Sequence, residues 1–223
     1  MSRKMRPEVA AMLLLMLLHP VNLTAQSGVW DSWDESVIRS LHTGYGYGDL
    51  DEEEQKVILF MNMARYDGHL FARTFLDAHM KEKNMGKNSY VRSLYRDLKR
   101  TEGLPPLVPE MDLIQLAVLH AEASGESGRT GHQNFKERFE PLMGNPYALV
   151  AENLAYGYAE AIDIVISLLI DEGIRDLGHR KNMLHPQFNS VGVAIRPHET
   201  YRVNCVIDFG SRSRSDLNQV PYR

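Results

Sequence analysis

The sequence predicts an α+β fold. Two alternating runs near the C-terminus, Val191 to Ile195 and Tyr201 to Phe209, are joined by a short link, Arg196-Pro197-His198-Glu199-Thr200, the pattern of an antiparallel hairpin. Upstream, apolar residues recur at helical spacing in several segments, so helices precede and separate the extended stretches. With 223 residues, the chain is long enough for one domain with a sizeable core.

The first segment is of another kind. Arg3, Lys4 and Arg6 precede an apolar run from Ala10 to Leu18, and Leu23-Thr24-Ala25 ends it on a small residue. A basic start, a short apolar middle and a small-residue exit describe a secretory signal peptide over residues 1–25, with cleavage after Ala25. The apolar run has about half of the roughly 20 residues needed to cross a bilayer. The expected location is therefore secreted or periplasmic, with no transmembrane segment in the mature chain. Residues 26–50, with Gly44-Tyr45-Gly46-Tyr47-Gly48 at their centre, lack aliphatic periodicity and read as a flexible or loosely packed leader. The domain proper is expected over 51–212 and a C-terminal tail over 213–223.

Asp51 and the glutamates Glu52, Glu53 and Glu54 mark a first helical turn, where carboxylates favour the positive end of the helix dipole. Val57, Met61 and Ala64 continue it to the break at Asp67-Gly68, and His69 to Met80 reads as a second helix. Residues 81–102 are rich in Lys and Arg and read as a solvated surface helix. Leu104-Pro105-Pro106 forces a turn, and Pro109 is placed to open the next helix, which buries Leu113, Leu116, Ala117 and Ala121 and ends near Gly125. His120 shares that face and reads as a hydrogen-bonded core residue. Asn134 is placed to cap a short helix through Glu140. Ala151 to Gly157 reads as extended, Ala159 to Asp171 as an apolar helix and Gly173 to Gly178 as a loop.

Composition narrows the partners. The formal net charge is −4, and loss of residues 1–25 removes three basic residues and one acidic one, leaving −6. That balance argues against nucleic acid as a partner and gives no general attraction to anionic membranes, leaving small molecules, lipids or other proteins. Cys205 is the single cysteine, so no intrachain disulfide forms; its place in an alternating run predicts an inert, buried thiol.

No Gly-rich phosphate loop, Gly-x-Ser-x-Gly elbow or His-Glu-x-x-His zinc helix is present. The polar residues that ask for a role are His132, Glu152 and His179. Each histidine follows a glycine, Gly131 or Gly178, which lets the backbone turn closely and expose an imidazole. Neutral imidazoles ligate zinc-like ions and shuttle protons. A nearby carboxylate has three roles open to it: to orient an imidazole, to complete a metal site, or to act as base on bound water. Asp171 and Glu172 are candidate additional carboxylates.

Seven segments in order carry a resemblance: Asn62-Met63-Ala64-Arg65, Leu104-Pro105-Pro106-Leu107, His120-Ala121, Gly131-His132, Ala151-Glu152-Asn153-Leu154-Ala155, Gly178-His179-Arg180-Lys181-Asn182-Met183-Leu184 and Val191-Gly192-Val193-Ala194. Together they resemble the CAP superfamily of cysteine-rich secretory, antigen 5 and pathogenesis-related proteins, also called the SCP domain, from about Asp51 to Phe209. With one cysteine the chain is closer to the bacterial branch than to the disulfide-rich animal and plant members. The family's usual tryptophan before Gly-His-Arg is absent, with Ile166 to Leu169 in its place.

The resemblance implies a three-layer α-β-α sandwich with a small, mainly antiparallel sheet, and a central cleft lined by two histidines and two acids. The matching positions are His132, His179 and Glu152, with Asp171 or Glu172 as second acid. The function expected is a secreted binding module with weak affinity for a divalent metal ion, zinc first, held by His132 and His179. Two histidines fall short of the three protein ligands typical of catalytic zinc. The alternatives are a metal-assisted hydrolase of peptidase type, with Glu152 as base and Asp171 or Glu172 as further ligand, and a lipid- or sterol-binding protein using the apolar Ile162–Ile170 helix.

Overall fold

The computed structural model describes residues 28–212; the signal peptide expected over 1–25 and the tail expected over 213–223 lie outside the described residues. In chain order the elements are α1 (Glu35–Leu41), α2 (Glu52–Tyr66), a continuous helical segment α3 over 68–82, α4 (Ser89–Leu98), β1 (Val108–Pro109), α5 (Met111–Ser127), α6 (Phe135–Phe139), β2 (Tyr147–Tyr156), α7 (Ala161–Ile170), α8 (Gly178–Met183), β3 (Ser190–His198) and β4 (Arg202–Arg212). The strands form one sheet in the order β1-β3-β4-β2. The short β1 runs parallel to β3, and the two other pairings are antiparallel, including the expected β3–β4 hairpin.

Alternation along the strands sorts side chains onto two faces. Leu154, Ala194 and Val206 meet Ala117 and Ala121 of α5 on one face. Val191, Val193, Cys205, Ile207 and Phe209 join the main core with α2 and α7 on the other. The result is the α-β-α sandwich. The α5 layer lies very close to the sheet because Gly192 has no side chain: a Cβ there would sit 2.1 Å from the carbonyl carbon of Leu113.

Capping shows why α2 starts where it does. Asp51 and Glu54 form a capping box, each accepting the other's backbone N–H at 2.8 Å. Glu54 does more than favour the helix dipole. It is buried and also accepts from the Ile195 amide at 2.8 Å and from Arg196 at 2.7 Å, tying α2 to β3. At the other end of α2, buried Arg65 donates to the carbonyls of Pro105, Met183, His185 and Phe188 at 2.7–3.0 Å. Burial pulls its pKa down to about 10. These bonds pin the chain that leaves α8 onto α2.

Several expectations are corrected. Residues 28–50 are not a loose leader: Trp33, Leu41 and Leu50 are buried in the main core, and Trp33 Nε1 donates to Thr74 Oγ1 at 3.2 Å. Apolar residues there are too sparse to make a periodic pattern, yet each fills a gap against α2 or α3. Pro109 closes β1 rather than opening a helix; α5 begins at Met111, and the Glu110 amide is spent on the Val191 carbonyl. The basic stretch 81–102 contains α4, whose Val91, Leu94 and Leu98 are fully buried, so one face is core and only the other is solvated. In α3, the expected helix runs from 68 to 82 with a π-helical stretch, Ala72–Leu76, inside it. Asn134 stands at the start of α6 in a left-handed conformation, without capping through its side chain. Cys205 is buried, and burial pushes its thiol pKa far up. No helix of the described residues is long and apolar enough to cross a membrane.

Candidate functional site

β2 is an edge strand, and consecutive residues on it serve the two histidine segments from opposite faces. Glu152 lies on the α5 face. Its side chain has no solvent exposure, so its charge must be met by partners within the protein. His132 Nδ1–H donates to Glu152 Oε1 at 2.7 Å, and Arg138 of α6 places Nη2 3.0 Å from Oε1 and Nη1 2.8 Å from Oε2. Burial pushes the Glu152 carboxyl up, but the bonds from His132 and Arg138 outweigh it and hold its pKa below the ordinary carboxylate value.

His132 stands on the turn between α5 and α6. Gly128 ends α5 with φ 64°, and Gly131, at φ 102°, bends the chain where a side chain would be strained. The Gly131 amide donates to the Tyr156 hydroxyl at 2.9 Å, and its carbonyl accepts from His120 Nε2 at 3.2 Å. His120 is thus the hydrogen-bonded core residue expected from its helix face, and burial pulls its pKa down. Its Nε2 also lies 3.9 Å from Glu152 Oε1.

The second histidine is held differently. Asp171 ends α7 in a left-handed conformation, φ 57°, and turns its carboxylate toward the start of α8. Asp171 Oδ1 accepts from His179 Nδ1 at 2.7 Å, while Oδ2 accepts the backbone amides of His179 at 3.0 Å and Arg180 at 3.2 Å. Of the two candidate acids, Asp171 is the one paired with His179. Glu172 faces away and accepts from Asn88 at 2.8 Å.

Arg180 is buried and secures this turn. It donates to the Leu169, Ile170 and Tyr90 carbonyls, to Ser93 and to Asp97, at 2.6–3.1 Å. Asn153, next to Glu152 but on the opposite face of β2, donates to the His179 carbonyl at 3.0 Å and accepts from Asn182 at 2.9 Å. Adjacent residues of one strand therefore serve the two histidine segments.

Sequence reading missed Arg138, Asn153 and Asp208. Arg138 sits in the charged run Lys136-Glu137-Arg138, which reads as an exposed face. Asp208 carried a signal, as an acid within the alternating run of a core strand.

With Nδ1 of each ring committed to a carboxylate, Nε2 is the free ligating atom of each. Among the described residues no group of three or more His, Cys, Asp or Glu side chains is placed to hold a metal. The two histidine pairs are held separately: among the described residues no hydrogen bond or ion pair joins His132 or Glu152 to His179 or Asp171.

The profile of the CAP family, described as the cysteine-rich secretory protein family, matches residues 62–209. The chain belongs to the CAP family. The match runs from the Asn62 motif to the end of the β4 core and takes in every residue of the two histidine pairs. No curated protein sequence matches the chain. Solved structures similar to this CAP domain include an extracellular SCP-domain protein of Bacillus anthracis, with 17% identity and TM-score 0.43 over 72% of this chain and 40% of the other. An outer surface protein of Borrelia burgdorferi has 20% identity and TM-score 0.43 over 58% and 97%. Venom allergen-like protein 4 of Schistosoma mansoni has 14% identity and TM-score 0.45 over 78% and 96%. The chain thus spans 40% of the length of the Bacillus protein.

Proposed function

We propose that this CAP domain is an exported binding module whose cleft takes up a divalent cation weakly, zinc best, through Nε2 of His132 and His179. The observation that carries the reading is the paired arrangement of both rings: each Nδ1 lies 2.7 Å from a buried carboxylate. That contact fixes the tautomer, aims Nε2 outward and raises its basicity, as carboxylates behind metal-bound histidines do. Export is supported by the basic and apolar start of the sequence.

A hydrolytic role for Glu152 has less support. A base on bound water needs a free, accessible oxygen, whereas the Glu152 side chain is fully buried and both oxygens contact His132 or Arg138. Asp171 is likewise committed to His179 and two amides. Both acids suit the work of orienting imidazoles.

Calorimetric titration of zinc into the full chain tests the reading. Weak binding is expected in the wild type and its loss in both His132→Ala and His179→Ala. Equal binding by wild type and His179→Ala ends the metal reading.

One observation favours the lipid reading beside it. A cavity of about 410 Å³ is lined by the apolar Val29, Trp30, Phe60, Phe75 and Ile162, with His79, Lys81 and Glu82 also on its wall. Most of the Ile162–Ile170 helix is plain core, with Ile162 alone among its residues lining the cavity. Transfer of a labelled lipid from vesicles, quenching Trp30 fluorescence and reduced in Ile162→Glu, is the expected result; no transfer removes this reading.

A further inference from the structure

Beneath the His132–Glu152 pair lies a carboxyl group with no role so far. Asp208 of β4 stands directly opposite Glu152 of β2 in the antiparallel register, so the two side chains share the α5 face of the sheet. It is completely buried. On its other flank the β3 partner is Gly192, which contributes no side chain, and α5 packs closely over that position. Neither oxygen of Asp208 meets an N–H or O–H donor among the described residues.

Two ionised carboxylates cannot hydrogen-bond to one another, and burial strongly disfavours an ionised carboxylate that has no donors. One proton between the pair removes both difficulties. The neighbouring charges decide which acid keeps it. Glu152 faces Arg138 and His132 directly and has His120 at 3.9 Å, whereas Asp208 has Glu152 as its polar neighbour. We infer that Asp208 is a protonated carboxylic acid that donates a hydrogen bond to the Glu152 carboxylate and so serves as a positioning residue for His132. Burial and the Glu152 charge both push the Asp208 carboxyl well above its ordinary value, and the more distant pull of Arg138 does not reverse this.

With the proton on Asp208, the pair carries one negative charge, which Arg138 balances. Glu152 then accepts from three donors: His132, Arg138 and Asp208. A carboxylate has about four lone-pair sites, so the third donor finds room. The assignment is independent of whether the cleft takes a cation.

The test is carbon NMR of the full chain labelled at the aspartate side-chain carboxyl carbon, at neutral pH. One aspartate is expected to resonate as a protonated acid, and that resonance should vanish in Asp208→Asn. All aspartates ionised in the wild type, or an acid resonance that survives in Asp208→Asn, overturns the assignment. The positioning role is read from the His132 Nδ1 proton, which should stay strongly hydrogen-bonded in Asp208→Asn, whose amide still donates, and weaken in Asp208→Val, which has no donor. An identical His132 signal in wild type, Asn and Val variants refutes positioning. Should the valine variant fail to fold, Asp208→Ala, smaller and equally without a donor, takes its place in the His132 measurement.

Discussion

His132 and His179 make the same short contact, Nδ1 to carboxylate at 2.7 Å, yet the two halves of the candidate site are built by different means. The Asp171–His179 half is local. Nine residues span it, from the left-handed end of α7 to the first turn of α8, and two backbone amides hold the carboxylate. The Glu152–His132 half is assembled from distant chain. A strand supplies the acid, a turn the imidazole and α6 the guanidinium, and side chains alone hold the acid in place. His132 is also the more open ring, with 48% of its side chain exposed against 22% for His179. Where backbone does the holding, a lost side chain costs a cap. Where side chains do it, a lost side chain strands a charge.

Glu152→Ala should break this contrast most strongly. It leaves Arg138, whose side chain is only 16% exposed, without its counter-charge, and the expected loss is about 3 kcal/mol of stability by urea unfolding. A loss below about 1 kcal/mol would mean that Arg138 simply turns to solvent and that the two halves are alike.

Asp171→Ala sharpens the other side. Two amides and one imidazole lose their acceptor, much as in a missing helix cap, and about 1–2 kcal/mol is expected. The neighbouring Glu172→Gln should stay within about 0.5 kcal/mol of wild type, since Glu172 is exposed and a Gln oxygen can still accept from Asn88. Equal effects at 171 and 172 in the same unfolding experiment would undo the assignment of Asp171 as the orienting acid.

Much of this was legible before any fold was seen. The Gly-His pairs and the Ala-Glu-Asn-Leu-Ala segment marked three of the four residues in the histidine pairs, and the alternating runs marked β3 and β4. The choice between Asp171 and Glu172 was not legible, because it turns on one left-handed residue that sends adjacent side chains in different directions. Arg138 was hidden for another reason: a charged residue in a short polar helix looks solvated until a buried acid is found beside it. The packing of 28–50 was hidden because isolated Trp33, Leu41 and Leu50 bury themselves in gaps made by other elements.

By itself the sequence determined the main helices, the β3–β4 hairpin, the family and the two Gly-His imidazoles with Glu152, since these depend on neighbours within a few positions: turn glycines, caps, and periods of 2 or 3.6. The tertiary structure alone decided which acid met which base. Glu152, Arg138 and Asp208 are spread over 70 positions of chain. Their charges acquire meaning only when burial removes the water that would otherwise screen them.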